Sequence, residues 1–214
     1  MPLRLTQWLA DSQTAAQELT RAIRELIAVA VTALAPADAL ARTADRVRQA
    51  AADLRSYVPE GPLARYPMLE SVSDPADVMP FDPIVGQLNP LSPPLVLAGE
   101  DGRVTGSIVF TTPYEGPPGC VHGGVIAACF DQVLNVANML AGAAGPTASL
   151  EIRYRKPSPL GVLLRFESGP PVVDGRQVRT SGVLRDGDTV LAEADGVFVL
   201  LPFDRLMALT SERR

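Results

Sequence analysis

The stretch from Gly124 to Leu140, GVIAACFDQVLNVANML, is apolar around most of a helical circumference. A glycine pair stands at its front and AGAAGP closes it behind, which marks a helix with defined ends. An amphipathic helix can rest one stripe on a neighbour, but this one has to be enclosed, and a sheet wrapped around it does that. The flanking sequence supplies the sheet. Val104, Ile108 and Phe110 alternate after the turn signal Glu100-Asp101-Gly102. Ala148, Leu150, Ile152 and Tyr154 alternate against Ser149, Glu151, Arg153 and Arg155, and Val162, Leu164 and Phe166 open the next strand. Asp174-Gly175 and Asp186-Gly187 are hairpin signals, and Asp195-Gly196 inside the last strand pattern predicts a bulge. The expected order is a hairpin, one long helix, then four strands in an antiparallel meander: an α+β domain over residues 94–203.

Residues 1–58 read as a helical pair. Leu19, Ile23, Leu26, Ala30 and Leu34 form one stripe, and Leu40, Ala44, Val47, Ala51, Leu54 and Val58 form another after Pro36. Each stripe needs cover, from the other helix or from elsewhere. Residues 59–93 keep neither period and are rich in proline, so they read as a linker. Its segment FDPIVGQLNPLSPPL is apolar enough to lie along the domain surface. Residues 204–214 read as a tail.

Composition removes several function classes. The net charge of −5 provides no field for nucleic acid or an anionic membrane, and the arginines of the first two helices are interleaved with acids. Leu26 to Ala35 is too short to cross a bilayer. MPLRLTQWLADSQ shows no apolar signal core. Cys120 and Cys129 straddle the start of the central helix, beyond the usual reach of a disulfide. Free thiols fit a reducing cytosol, so a cytoplasmic location is expected. One histidine and two cysteines supply no metal site.

That single histidine, His122, directly precedes Gly123 and Gly124. The first N–H groups of a helix lack internal partners and lie at its positive end, and glycine lets a ligand carbonyl approach them closely. This suits an oxygen that gains charge during attack on an ester or thioester. Asp131 is the carboxylate that would attack or activate water. Yet Gly124 and Asp131 are seven residues apart, about 10 Å at ~1.5 Å per residue, so one carbonyl cannot touch both. A site using both has to take its second half from another copy of the helix across a two-fold axis.

YEGPPGCVHGGVIAACFDQ followed by TASLEIRYRKPSPLG resembles the hotdog-fold acyl-CoA thioesterases of the PaaI-like group. The resemblance covers about residues 80 to 201 and rests on the HGG, the aspartate at its offset and a later Y-x-x-P-x-x-x-G. It implies an acyl-CoA substrate, no separate cofactor, and a homodimer or dimer of dimers with the site at the protomer interface. It also implies that Gly123 or Gly124 polarises the thioester carbonyl, that His122 shapes the loop, and that Asp131 is the catalytic carboxylate. Thr147 falls where the group carries a Ser or Thr that positions the water or the carboxylate. Many relatives have an asparagine before the histidine where this chain reads Tyr114-Glu115-Gly116; Asn89 could replace it if the Pro-rich segment folds over the site. Arg153, Arg155 and Lys156 are candidates for the phosphates of coenzyme A.

Three other readings compete. Cys120, two residues before His122, raises a cysteine hydrolase. The helical pair raises a non-catalytic acyl-CoA sensor, and the histidine with a carboxylate raises a hotdog dehydratase or hydratase. The Gly-Gly after His122 and the aspartate offset favour hydrolysis.

Overall fold

The computed structural model describes residues 5–59, 79–100 and 102–201. Two helices, α1 (Leu5–Ala30) and α2 (Ala37–Arg55), precede the strands β1 (Val96–Glu100) and β2 (Arg103–Val109). The central helix α3 (Gly123–Leu140) follows, and then β3 (Thr147–Tyr154), β4 (Leu163–Ser168), β5 (Val172–Asp174), β6 (Gln177–Asp186) and β7 (Thr189–Val199). All pair antiparallel in one sheet of order β1-β2-β4-β6-β7-β3, with β5 added to β6. The sheet curls around α3, which is the hotdog fold. Phe130, Val133, Leu134 and Ala137 of α3 are fully buried, and Phe130 meets Phe166 of β4 edge-on at 5.0 Å between centroids. Burying each such large side chain contributes about 1.5–3 kcal/mol.

The hairpin glycines act as expected: Gly175 and Gly187 adopt φ +57° and +54° between β5 and β6 and between β6 and β7. The strand order does not follow the expected meander. β3 lies outside β7 at the sheet edge, and β4 inserts between β2 and β6, so the chain crosses over between β3 and β4. The crossing segment is tied to the loop in front of α3. Ser158 O accepts from Val121 N–H (2.8 Å), Leu160 N–H donates to Gly119 O (3.0 Å), and Gly161 N–H donates to Phe110 O (2.9 Å).

The expected bulge at Asp195-Gly196 is likewise absent, since both residues sit in regular register with β3 and β6. A Cβ on Gly196 would stand 2.6 Å from the Phe198 ring and 3.2 Å from Leu134, so glycine is there to let α3 and that ring approach. The register shifts fall instead at Thr147/Ser149 and Leu184/Arg185.

Neither N-terminal stripe is covered as expected: in the first, Ile23 is half-buried while Leu19, Leu26, Ala30 and Leu34 are exposed. The first helix packs on the Pro-rich segment: Trp8 lies 6.1 Å from Phe81, and Arg24 Nη2 donates to the carbonyls of Gly86 (3.3 Å) and Asn89 (2.9 Å). From that segment Met79, Val85, Leu88 and Leu95 are buried, and three of them join the α3 core. By contrast α2 buries no residue, and Leu40, Val47 and Leu54 stay about half exposed. Residues 60–78 of the linker expected over 59–93, and the tail expected over 204–214, lie outside the described residues.

Candidate active site

The loop from β2 to α3 closes on itself before it delivers His122. Tyr114 packs edge-on against buried Phe110, and its carbonyl accepts from His122 N–H at 2.9 Å. Glu115 bridges to Val121, and its carboxylate accepts from Gly119 N–H at 2.6 Å. Gly119 holds φ +72°, open to glycine, and a Cβ on Gly116 would stand 2.7 Å from His122 Cα. Glu115 and Gly116 thus build the loop in front of His122.

His122 is the N-cap of α3. Its Nδ1 accepts from Gly124 N–H at 3.0 Å, the bond that a Ser or Asp makes at most helix starts. This separates the two glycines that the sequence left interchangeable. The Gly124 N–H is occupied by the imidazole. The Gly123 N–H has no partner among the described residues, while the preceding carbonyl, His122 O, accepts from Val125 (3.0 Å) and Ile126 (3.2 Å). Acceptance at that carbonyl polarises the shared peptide and strengthens the Gly123 N–H as a donor.

Gly123 opens onto a cleft of about 430 Å³ with Cys120, Ile126, Tyr154, Arg155 and Lys156 in its walls. The phenol of Tyr154 donates to Gly123 O at 2.6 Å. Burial raises the pKa of that phenol above its ordinary value, so the donor proton is retained. Tyr154 stood in the sequence as an inward residue of the strand pattern and in the Y-x-x-P motif. That its hydroxyl reaches the helix start depends on where the strand ends, which spacing does not reveal.

Asp131 sits half-buried on α3, and Thr147 Oγ1 donates to its Oδ1 at 2.7 Å. The bulge at Ala148 makes this contact possible. Ser149 lies opposite outward Val197, so regular alternation would also turn Thr147 outward; with Ala148 as the extra residue, Thr147 pairs with inward Phe198 and faces the helix. Asn135 and Asn138 follow Asp131 on the same helix face. Asn138 is fully buried and accepts from Thr180 Oγ1, and Asn135 Oδ1 is buried as well.

The remaining candidates are mostly engaged elsewhere. Both Nη atoms of Arg153 donate to Asp195 (2.8 Å each), and Arg155 donates to Glu193 (2.6 and 3.0 Å). Lys156 is exposed, lines the cleft and forms no ion pair among the described residues. Asn89 does not come to the site through its side chain: Nδ2 donates to Phe81 O and Oδ1 accepts from Leu91 N–H, folding its own segment. Cys120 and Cys129 are free thiols, and His122 Nδ1 accepts from Gly124 N–H rather than from Cys120. Burial pushes the Cys129 thiol up to about 12. Among the described residues no group of three or more His, Cys, Asp or Glu is placed to hold a metal ion.

A single helix wrapped by a sheet, with a capped glycine start and a carboxylate two turns on, is the layout of a hotdog hydrolase. Comparison agrees. The family model for the thioesterase superfamily matches residues 118–194. A crystal structure described as a thioesterase superfamily protein is 37% identical, covers 86% of this chain and 94% of its own, and superposes with a TM-score of 0.75. This chain belongs to the thioesterase superfamily. Among curated relatives, acyl-coenzyme A thioesterase THEM4 of Xenopus laevis is 36% identical over 92 residues, 42% of this chain and 41% of the relative. Acyl-coenzyme A thioesterase THEM5 of Homo sapiens is 34% identical over 92 residues, 42% of this chain and 37% of the relative. The match thus spans about two-fifths of the length of these curated relatives.

Proposed function

We propose that this protein is an acyl-CoA thioesterase, hydrolysing a thioester to a carboxylic acid and free coenzyme A. The Asp131–Thr147 hydrogen bond carries the reading, because it holds one carboxylate oxygen and leaves Oδ2 to act. As general base, Asp131 takes a proton from water while the water oxygen attacks the thioester carbon. As nucleophile, it attacks that carbon itself and water then cleaves the anhydride. In either case the carbonyl oxygen gains charge at the Gly123 N–H, and collapse expels the coenzyme A thiolate, which takes up a proton. Lys156, beside the cleft, would meet the phosphates of the leaving group. Coenzyme A is part of the substrate, and the reading needs no further cofactor. The acyl-coenzyme A thioesterase names of the curated relatives support the same substrate class.

The reading includes a homodimer, or a pair of dimers, in the cytoplasm. The supporting observation is that β3 is an edge strand, with most of its residues exposed and its outer side unpaired among the described residues. Pairing with the β3 of a second copy would complete the sheet and run the two α3 helices side by side.

The test is release of thiol from a panel of acyl-CoA esters. Asp131→Asn is expected to abolish hydrolysis while the oligomer survives. Protein that binds acyl-CoA but shows no Asp131-dependent release across short and long chains would overturn the reading in favour of a sensor. Heterodimers of Asp131→Asn with a Gly123-disabled protomer should recover part of the activity; none in verified heterodimers would refute a site shared between chains.

A further inference from the structure

The amide between Gly123 and Gly124 is hydrogen-bonded at both ends. Tyr154 O–H donates to its carbonyl at 2.6 Å, and its N–H donates to His122 Nδ1 at 3.0 Å. We propose that Tyr154 is a positioning residue that works through this amide, holding the only imidazole of the chain with Nδ1 as acceptor and its proton on Nε2, next to the cleft that Tyr154 and Gly123 line. The inference rests on the thioesterase reading for the location of the substrate, but not for the relay itself.

Three features support it. An imidazole that accepts at Nδ1 carries its proton on Nε2 when neutral, so the Gly124 bond selects one tautomer. A hydrogen bond received at an amide carbonyl makes the same amide a stronger N–H donor, so the phenol reinforces that selection at a distance. The contact is also tightly built. The ring of Tyr154 lies so close over Gly123 that a Cβ there would stand 3.2 Å from both Cζ and Oη. The strand end carrying the phenol is fixed, since the N–H groups of Arg155 (2.8 Å) and Lys156 (3.0 Å) both donate to Leu191 O. Tyr154 and Gly123 line one cleft, so whatever binds the free Gly123 N–H sits beside this relay.

With a single histidine, ring-¹⁵N-histidine labelling gives one unambiguous pair of nitrogen signals. The wild-type protein, without substrate, is expected to show an acceptor-type Nδ1 and a protonated Nε2. Tyr154→Phe should move both signals toward the mixed tautomers of free imidazole. It should also lower kcat about tenfold, the size of one net hydrogen bond, with a smaller change in KM. Unchanged nitrogen signals in folded Tyr154→Phe would overturn the relay. Changed signals with unchanged kcat would overturn its part in the reaction. If Tyr154→Phe does not fold, 3-fluorotyrosine placed at position 154 keeps the shape and makes a stronger donor. The Gly124 amide proton and the His122 nitrogens should then shift, and no shift would overturn the proposal. Wild-type protein that hydrolyses no acyl-CoA refutes the thioesterase reading instead, while the nitrogen signals still decide the relay.

Discussion

Replacing Thr147 by valine tests the proposed catalytic role of Asp131 most directly. Valine keeps the branched shape that suits a strand and removes only the hydroxyl that donates to Asp131 Oδ1 at 2.7 Å. A hydrogen bond to a charged group contributes roughly 1.5–3 kcal/mol when shielded. Thr147 is exposed in the single chain, so the lower end applies, and about 1.4 kcal/mol corresponds to about tenfold in rate. Steady-state assays with a thiol-detecting reagent should therefore show kcat reduced about tenfold and KM nearly unchanged, because Thr147 holds the carboxylate rather than coenzyme A. Thr147→Ser retains the donor and should remain within about threefold of wild type by the same arithmetic. A Thr147→Val enzyme with wild-type kcat, or a serine variant no better than the valine one, would refute the orienting role.

Three further outcomes follow from particular contacts. Gly124→Ala brings a Cβ to 3.2 Å from the exposed imidazole, which can yield, while alanine favours a helix by about 0.5–1 kcal/mol; thermal melting should hold or rise as kcat/KM falls, and a fall in both would refute a purely local effect on His122. Gly196→Ala puts its methyl 2.6 Å from the buried Phe198 ring and should destabilise the fold by about 1–3 kcal/mol, read from the urea midpoint; no change would restore the bulge expected from sequence. At pH 8 a disulfide reagent should label Cys120 quickly and Cys129 only on unfolding, since burial holds the Cys129 thiol up to about 12. A raised thiol pKa leaves stability intact below the ordinary value near 9.0 and erodes it as pH rises toward about 12, by about 1.4 kcal/mol per pH unit. Cys129→Ala should lack that alkaline loss, and parallel curves for the two proteins would refute it.

The parts of this fold that local chemistry dictates were legible in the sequence. The enclosed helix and the glycine turns at 175 and 187 each follow from residues a few positions apart, whereas the alternation expected for β3 fails at exposed Ala148 and Tyr154. The strand order was not legible, because insertion of β4 beside β2 is fixed by bonds from residues 158–161 to the 110–121 loop, and no local pattern encodes them. The same holds at the site. HGG and Asp131 stand out by residue type, whereas the inward turn of Thr147 depends on one extra residue at Ala148, and the reach of Tyr154 depends on where its strand is anchored. The stripe of α2 shows the opposite failure: its pattern demanded a cover that the described chain does not provide.

The edge strand links these observations. β3 runs against the direction of α3, so that its first residue, Thr147, bonds Asp131 and its last, Tyr154, bonds Gly123. One strand thus holds both half-sites, and within one chain Gly123 and Asp131 remain about 12 Å apart along the helix, too far for one thioester. Antiparallel pairing of this strand with its own copy would bring the start of one beside the end of the other. On the proposed two-chain site, the carboxylate of each protomer then faces the Gly123 amide of its partner, twice per dimer. A substitution aimed at the β3 edge, such as proline for Ile152, whose N–H turns away from β7, should then abolish activity and dimer together, with Ile152→Ala as the control for lost packing. An active Ile152→Pro monomer would refute the shared site, since one chain alone cannot place both groups on the same carbonyl.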